Sequence, residues 1–277
     1  MESPTAVGSD TGLYLYCFFA GPPALVPTEG IEGTYPPFVL SYGDVCALVS
    51  RVPLQEYNEQ TLNQRLEDLP WLTAKAKRHE EIVRAVRGCH PVIPVKFGTL
   101  YLSAARVLEA LQHYYQEFRA FLTFIWDKEE WGVKVFARGG PENTLPDASE
   151  LTREFDRKLA TATPGAAYFL RKKRDSLLRQ HVLHYLDDLS HQIYHQVLSW
   201  CLEGRRNTLR SRRATGKAGE MILNAAFLLA QTDAGSFQHQ MDGLAARYAC
   251  YGLTCEISGP WPPYNFCPAV AQGETQG

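Results

Sequence analysis

The period of the apolar positions changes along this chain, and each period predicts an element. Residues 1–11 are small and polar without a period, which predicts a frayed end. Leu13–Ala20 (LYLYCFFA) is a continuous Tyr/Phe-rich run of strand length. Residues 21–37 hold five Pro and three Gly and read as a loop. Phe38–Ser41 and Val45–Val52 flank Tyr42-Gly43-Asp44, which predicts a hairpin about a tight turn. The second arm is apolar on both faces at its start, as a central strand is. Helical spacing follows over 58–69, stopped before Pro70, and over 73–87, where Ala76, Ile82, Val83 and Val86 share a side. Pro91–Tyr101 (PVIPVKFGTLY) predicts a strand near a sheet edge, because two Pro prevent a helix. Ser103 is a good N-cap for a long helix carrying Ala104, Leu108, Leu111, Tyr115, Phe118, Leu122 and Ile125. Steps alternating four and three make a seam that either covers the chain's own sheet or pairs with a partner helix.

The second half has a different rhythm. Trp131–Ala137 alternates faces as a strand. Residues 138–150 are Gly, Pro, Asn and Asp-rich and read as a loop. A very long helix runs from about Gly165 to about Leu202, with Leu178, Val182, Tyr185, Leu189, Ile193, Val197 and Trp200 as its apolar stripe. A strand at Thr208–Arg212, a buried strand at Met221–Ala230, a helix from Ser236 to Ala249 and a strand at Gly252–Ser258 complete the order. From Trp131 onward this is the βαββαβ order of a ferredoxin-like unit. The expected fold is α+β in two domains: a mixed N-terminal domain over 12–128 after a flexible end at 1–11, a ferredoxin-like domain over 129–258, and a Pro/aromatic extension and tail over 259–277.

Charge and cysteine content narrow the classes. The chain has 277 residues, 28 Lys plus Arg against 30 Asp plus Glu, and a formal net charge of −2. Bulk nucleic-acid binding needs a basic footprint that this balance lacks. The seven Cys are odd in number and irregularly spaced, without CxxC, so reduced cytosolic thiols are expected. Cys250 and Cys255, close in sequence, are expected as small core residues rather than nucleophiles. The start MESPTAVGSD has neither a basic nor an apolar region, so no signal peptide is expected. No apolar run is long enough to span a bilayer, which takes about 18 residues.

Two short motifs resemble sites and fail on chemistry. Thr215-Gly216-Lys217-Ala218 lacks the earlier glycine and the metal-holding hydroxyl of a phosphate loop. His79-Glu80-Glu81-Ile82-Val83 has Val83 where a zinc helix needs its second His. The best metal candidate is His184, Asp188, His191 and His195, spaced four, three and four on one helix face with His181 nearby. That face lies opposite the Leu178–Trp200 stripe, so ordinary solvation accounts for it too. Residues 205–217 (RRNTLRSRRATGK) hold six basic residues and no acid. They suit a solvated or partner-binding hairpin, or a nucleic-acid patch. The adjoining strand lacks the aromatic pattern with which ferredoxin-like domains read RNA.

The C-terminal string Ser258-Gly259-Pro260-Trp261-Pro262-Pro263-Tyr264-Asn265-Phe266 is a stiff extended cap with large apolar area. Its order, GPWPPYNF, resembles the gas vesicle protein F/L family (GvpF/GvpL). So do PVIPVKFGTL at 91–100, the opening Gly12-Leu13-Tyr14-Leu15-Tyr16, Tyr168-Phe169-Leu170-Arg171-Lys172-Lys173, and Leu223-Asn224-Ala225-Ala226-Phe227. The resemblance spans about Gly12 to Phe266. It implies two α+β domains, the second ferredoxin-like with an extension. It also implies a non-enzymatic accessory or minor component of the buoyancy organelle, with no cofactor, in the vesicle or cytoplasm. The implied role is assembly or nucleation through contacts with the small hydrophobic shell protein and other accessory proteins.

A subunit with a gas-facing apolar surface needs covering in water, so an escort would use exposed apolar area or a strand edge. The candidates are Tyr14, Tyr16 and Phe18 on the first strand, Val95 and Phe97 on the Pro-fringed strand, Leu111, Tyr115 and Phe118 on the helical seam, and Trp261 and Tyr264 in the extension. The rival expectation is a nucleic-acid-binding or regulatory ferredoxin-like protein using 205–217. A metal enzyme on the His184 face is a third.

Overall fold

The structure is a computed structural model, and it describes residues 11–22, 27–57, 61, 64–65, 67–138 and 148–268. The fold is mixed α+β with two antiparallel sheets. It divides into two compact units, residues 1–130 with 260–277, and residues 131–259.

In the first unit, β1 (Thr11–Ala20) lies in the middle of a sheet ordered β2-β3-β1-β4. β2 (Phe38–Tyr42) and β3 (Val45–Pro53) form the expected hairpin. Gly43 takes the left-handed conformation at its turn, with φ 60°. A bulge between Leu15 and Cys17 shifts the β1–β3 register. It explains why LYLYCFFA lacks clean alternation: Leu13, Leu15 and Phe18 enter one core, and Tyr14, Tyr16, Cys17 and Phe19 the other. The PVIPVKFGTLY segment is two short strands rather than one. β4 (Val92–Pro94) and β5 (Leu100–Tyr101) both pair with β1, separated by a turn where Gly98 has φ 87°.

A single turn of helix, α1 (Leu54–Tyr57), follows β3. Most of the helix expected over 58–69 lies outside the described residues. Pro70 does not end a helix; it opens one. α2 (Leu69–Arg87) starts with Pro70 in its first turn, where a missing N–H costs nothing, and Asp68 Oδ1 accepts from Trp71 N–H at 3.2 Å as the cap. Its Ile82, Val83 and Val86 pack on one face of the sheet. The other face carries α3 (Ala104–His113) and α4 (Tyr115–Ile125). These were expected as one helix, but Tyr114, at φ −100° and ψ 13°, breaks it. No Pro or Gly marks the break. Leu111 and Phe118 on either side stay on the same core, so the seam covers its own sheet.

β6 (Lys128–Ala137) enters the second unit at Trp131 and is followed by α5 (Ala148–Ala160) and α6 (Pro164–Leu198). Then come β7 (Glu203–Arg206), a turn of helix α7 (Arg212–Thr215), β8 (Glu220–Ala230), α8 (Ala234–Ala249) and β9 (Leu253–Trp261). The sheet order is β7-β8-β6-β9. The strand expected at Thr208–Arg212 sits instead at Glu203–Arg206, paired from Glu203↔Leu228 to Arg206↔Ala225. Gly204 sits close under α6: a Cβ there would lie 3.0 Å from side-chain atoms of Leu198, Tyr194 and Phe227, which would have to shift to admit it. The α6 stripe packs into the sheet core through Leu186, Leu189, Ile193 and Val197, with Val182 and Tyr185 half-buried beside them. The α5 helix was not expected beyond residue 150. It packs along the first half of α6, where Asp156 pairs with Arg174 at 2.9 Å.

Candidate functional site: a C-terminal strap and the exposed apolar positions

The C-terminal string closes the first unit. Gly259, near the end of β9, has φ 141°, a conformation that favours glycine. Pro262 and Pro263 are buried and begin a tight turn, in which Phe266 N–H and Cys267 N–H both donate to the Pro263 carbonyl at 3.1 Å. The turn drives Phe266 and Cys267 inward, 4% and 3% exposed, and Cys267 joins the core under α3 and α4.

Polar groups hold the strap in register. Tyr264 Oη donates to Glu80 Oε2 at 2.9 Å. Asn265 donates twice to the Glu130 carboxylate, from its backbone N–H at 2.9 Å and from its side chain at 2.5 Å. The Arg84 guanidinium lies 5.5 Å from the Trp261 ring, and Arg87 faces Glu129 at 3.6 Å. Burial raises the Glu80 carboxyl above its usual range, and the Tyr264 hydrogen bond opposes that. Burial and the facing Glu80 raise the Tyr264 phenol. Two consecutive turns of α2 thus present Glu80 and Arg84 to the strap, Tyr264 lying 184 residues beyond Glu80 in the chain.

A second polar group lies beneath α2. Tyr14 Oη is 3.0 Å from His79 Nδ1 and accepts from Gly98 N–H at 3.1 Å. Tyr16 Oη is 2.7 Å from Ser50 Oγ and accepts from Ile31 N–H at 2.7 Å. Lys75 reaches the Ile31 carbonyl and Glu32, each at 2.9 Å, and Tyr57 Oη donates to Glu32 as well. These bonds pin the 29–32 loop to α2. Burial lowers His79 to about 4, against partial support from the Val95 backbone, so it is neutral near pH 7. The His79-Glu80 pair that began like a zinc motif therefore does structural work on two sides of one helix.

The ten expected partner-binding positions divide by burial. Tyr14, Tyr16, Phe18, Val95, Leu111 and Phe118 are at most 2% exposed and sit in the two cores. They present no surface in this conformation. Phe97, Tyr115, Trp261 and Tyr264 are half-buried. Tyr115 donates to Asp44 Oδ1 at 2.5 Å beside Gly43, which ties α4 to the β2–β3 turn. Exposed apolar side chains among the described residues include Leu102, Leu108, Phe124 and Trp126 on and beside α3 and α4, Leu69 at the start of α2, and Tyr168 and Phe169 at the start of α6. Leu102 and Trp126 flank the seam in sequence, which is the signal that could have found them.

His184, Asp188, His191 and His195 are all exposed on α6, as is His181. His191 Nδ1 lies 2.9 Å from the Asp187 carbonyl. Among the described residues no three His, Cys, Asp or Glu side chains are gathered as a metal site. All seven cysteines are free thiols. Burial pushes the Cys255 thiol up to about 11 and Cys201 to about 12, which keeps both in the weakly nucleophilic protonated form. No helix among the described residues is long and apolar enough to cross a membrane.

Comparison with known proteins places this architecture. The family described as gas vesicle synthesis protein GvpL/GvpF matches residues 12–268. Gas vesicle protein L of Streptomyces sp. (strain CB03234) is 30% identical over 239 residues, 86% of this chain and 85% of that protein. Gas vesicle protein F1 of Halobacterium salinarum is 22% identical over 264 residues, 95% of this chain and 96% of that one. The crystal structure of GvpF from Anabaena sp. PCC7120 is similar in fold, with a TM-score of 0.65 at 17% identity, covering 95% of this chain and 97% of that one. GvpF from Microcystis aeruginosa gives 0.63 at 16% identity, over 95% and 99%. The match runs from the first residues of β1 through the strap on α2, and the chain belongs to the GvpL/GvpF family of gas vesicle synthesis proteins.

Proposed function

We propose that this chain is a non-enzymatic accessory protein of gas vesicle assembly, acting in the vesicle or the cytoplasm. It binds the small hydrophobic shell protein and other accessory proteins. Family membership supports the accessory role, and the exposed apolar side chains of the α3–α4 layer carry the binding reading. Leu102 is 67% exposed and Trp126 66%, with Leu108 and Phe124 also open to solvent, on helices whose other side is fully packed. Scattered apolar exposure is ordinary, but a Trp and a Leu at these levels flanking one layer suit an apolar partner. Strand addition at β4 is the weaker route, because Pro91 and Pro94 blunt a three-residue edge. For the second unit, the order β7-β8-β6-β9 supports the ferredoxin-like reading.

The test is co-expression with the small shell protein, followed by a pulldown at low and high salt. The expected result is retention at both, since apolar burial is not screened. Loss of the shell protein at both salts, with its aggregation unchanged, overturns the proposal.

A further inference from the structure

The basic stretch 205–217 is absorbed neither by the family motifs nor by the proposed apolar surface. Of its six basic residues Arg205 is partnered, and Arg206 and Lys217 turn to the fold. Arg206 donates to Ser190 Oγ at 2.6 Å and lies 5.5 Å from the Tyr194 ring, while Ser190 Oγ donates on to the Ile222 carbonyl. Lys217 pairs with Glu256 at 2.6 Å and lies over the Phe136 ring. These anchor the two ends of the β7–β8 connection. Between them, Asn224 donates to the Thr208 carbonyl at 2.9 Å, and Asn207 N–H donates to the Asn224 carbonyl at 2.7 Å. Ser211 caps the single turn α7, and Gly216, at φ 66°, ends it.

This well-tied loop holds Arg210, Arg212 and Arg213 out in solvent, with Leu209 beside them at 52% exposure. Among the described residues, none of the three guanidinium groups has an ion-pair partner. They contribute nothing to the core, and like charges this close repel one another. The ties that shape the loop use the backbone and other side chains, so the arginines are displayed rather than structural. Guanidinium groups take carboxylates in paired hydrogen bonds, and an exposed leucine among them takes an apolar side chain.

We propose that the loop 207–216 docks an acidic, amphipathic protein segment, its carboxylates on Arg210, Arg212 and Arg213 and one apolar side chain against Leu209. A nucleic acid is the poorer fit. The loop has no aromatic residue on which bases could stack, and the chain's net charge is −2. The loop belongs to the second unit and shares no residue with the α3–α4 layer of the first, so its test does not rest on shell-protein binding.

The test uses the full chain and fluorescence anisotropy. The probes are a labelled synthetic helix of Glu and Leu, the same peptide with Ser for Leu, and labelled single-stranded and duplex DNA of one length. The Glu/Leu peptide binds at low salt and is released as salt rises. The triple variant Arg210→Gln, Arg212→Gln, Arg213→Gln weakens it by at least about tenfold, with an unchanged melting curve. Leu209→Ser weakens the Glu/Leu peptide and leaves the Glu/Ser peptide unaffected. Equal binding by the parent and the triple variant, no peptide binding at low salt, or preference for DNA would each overturn the proposal. The salt series on the unmutated chain tests the charge dependence without any variant.

Discussion

Single residues carry the two polar groups on either side of α2, and each has a measurable signature. His79 is 3% exposed, and its folded value near 4 lies below the usual value of about 6.5. The unfolded chain therefore binds a proton that the folded chain refuses between these values. Stability linked to His79 is fully present above pH 6.5, falls as pH drops toward 4, and levels off below. The expected loss is about 3 kcal/mol. Urea unfolding of the parent and His79→Gln across that window checks it: the difference between them should slope with pH, and parallel curves would refute the burial account. Asn265 gives a second signature. Its side-chain donation to Glu130 requires an amide, while the backbone donation survives substitution, so Asn265→Asp sets two carboxylates face to face. The expected cost is about 1–3 kcal/mol, read as a lower urea midpoint at neutral pH that recovers on acidification as the carboxylates protonate.

Elements show which parts of the fold were legible in sequence. Strands and helices with a dense apolar period were readable: β1, β3, β6, β8 and the Leu178–Val197 stripe of α6 fall where periodicity places them. Breaks that depend on packing were not. The α3–α4 division at Tyr114 has no local marker, and the bulge at Leu15/Cys17 is a register event set by β3. β7 lies at Glu203–Arg206 rather than Thr208–Arg212, paired with residues 225–228 and with Gly204 close under α6, contacts invisible to a local window. The strap was legible as a stiff aromatic cap, but its acceptors Glu80 and Glu130 were not, since nothing in sequence links residue 265 to residue 130. A chain ending at Gly259 uncovers the sites of Phe266 and Cys267 and leaves Glu130 without Asn265. It should unfold at markedly lower urea and be cut sooner by protease. Phe266→Ala should cost about 3 kcal/mol. An unchanged midpoint for both would mean the strap is ornamental to the first unit.

At the scale of the whole molecule, the search for a site by residue type pointed mainly inward. Aromatic and aliphatic side chains dense enough to attract notice in sequence are dense because they form cores, as Tyr14, Tyr16, Phe18, Leu111 and Phe118 do. The residues free to meet an apolar partner are the sparser ones at element ends, Leu102 and Trp126 among them. Replacing Leu102 and Trp126 by Ser should leave the unfolding midpoint nearly unchanged, because each is about two-thirds exposed. The same variant should lose most shell-protein retention in the pulldown. Retention equal to the parent's would move the binding surface elsewhere.

The sequence by itself determined the α+β class, the main strands and helices, the neutral charge balance and the family resemblance. These follow from local period, composition and specific strings such as GPWPPYNF, which need no knowledge of contacts. Only the tertiary structure decided that this string closes over α2 on the first unit, that the aromatic first strand is a buried centre, and that Arg210, Arg212 and Arg213 of the basic stretch stay exposed while Arg206 and Lys217 are drawn in. Each of those depends on which distant residues meet, and pairing between positions 80 and 264 or 206 and 190 is a property of the folded chain rather than of any window along it.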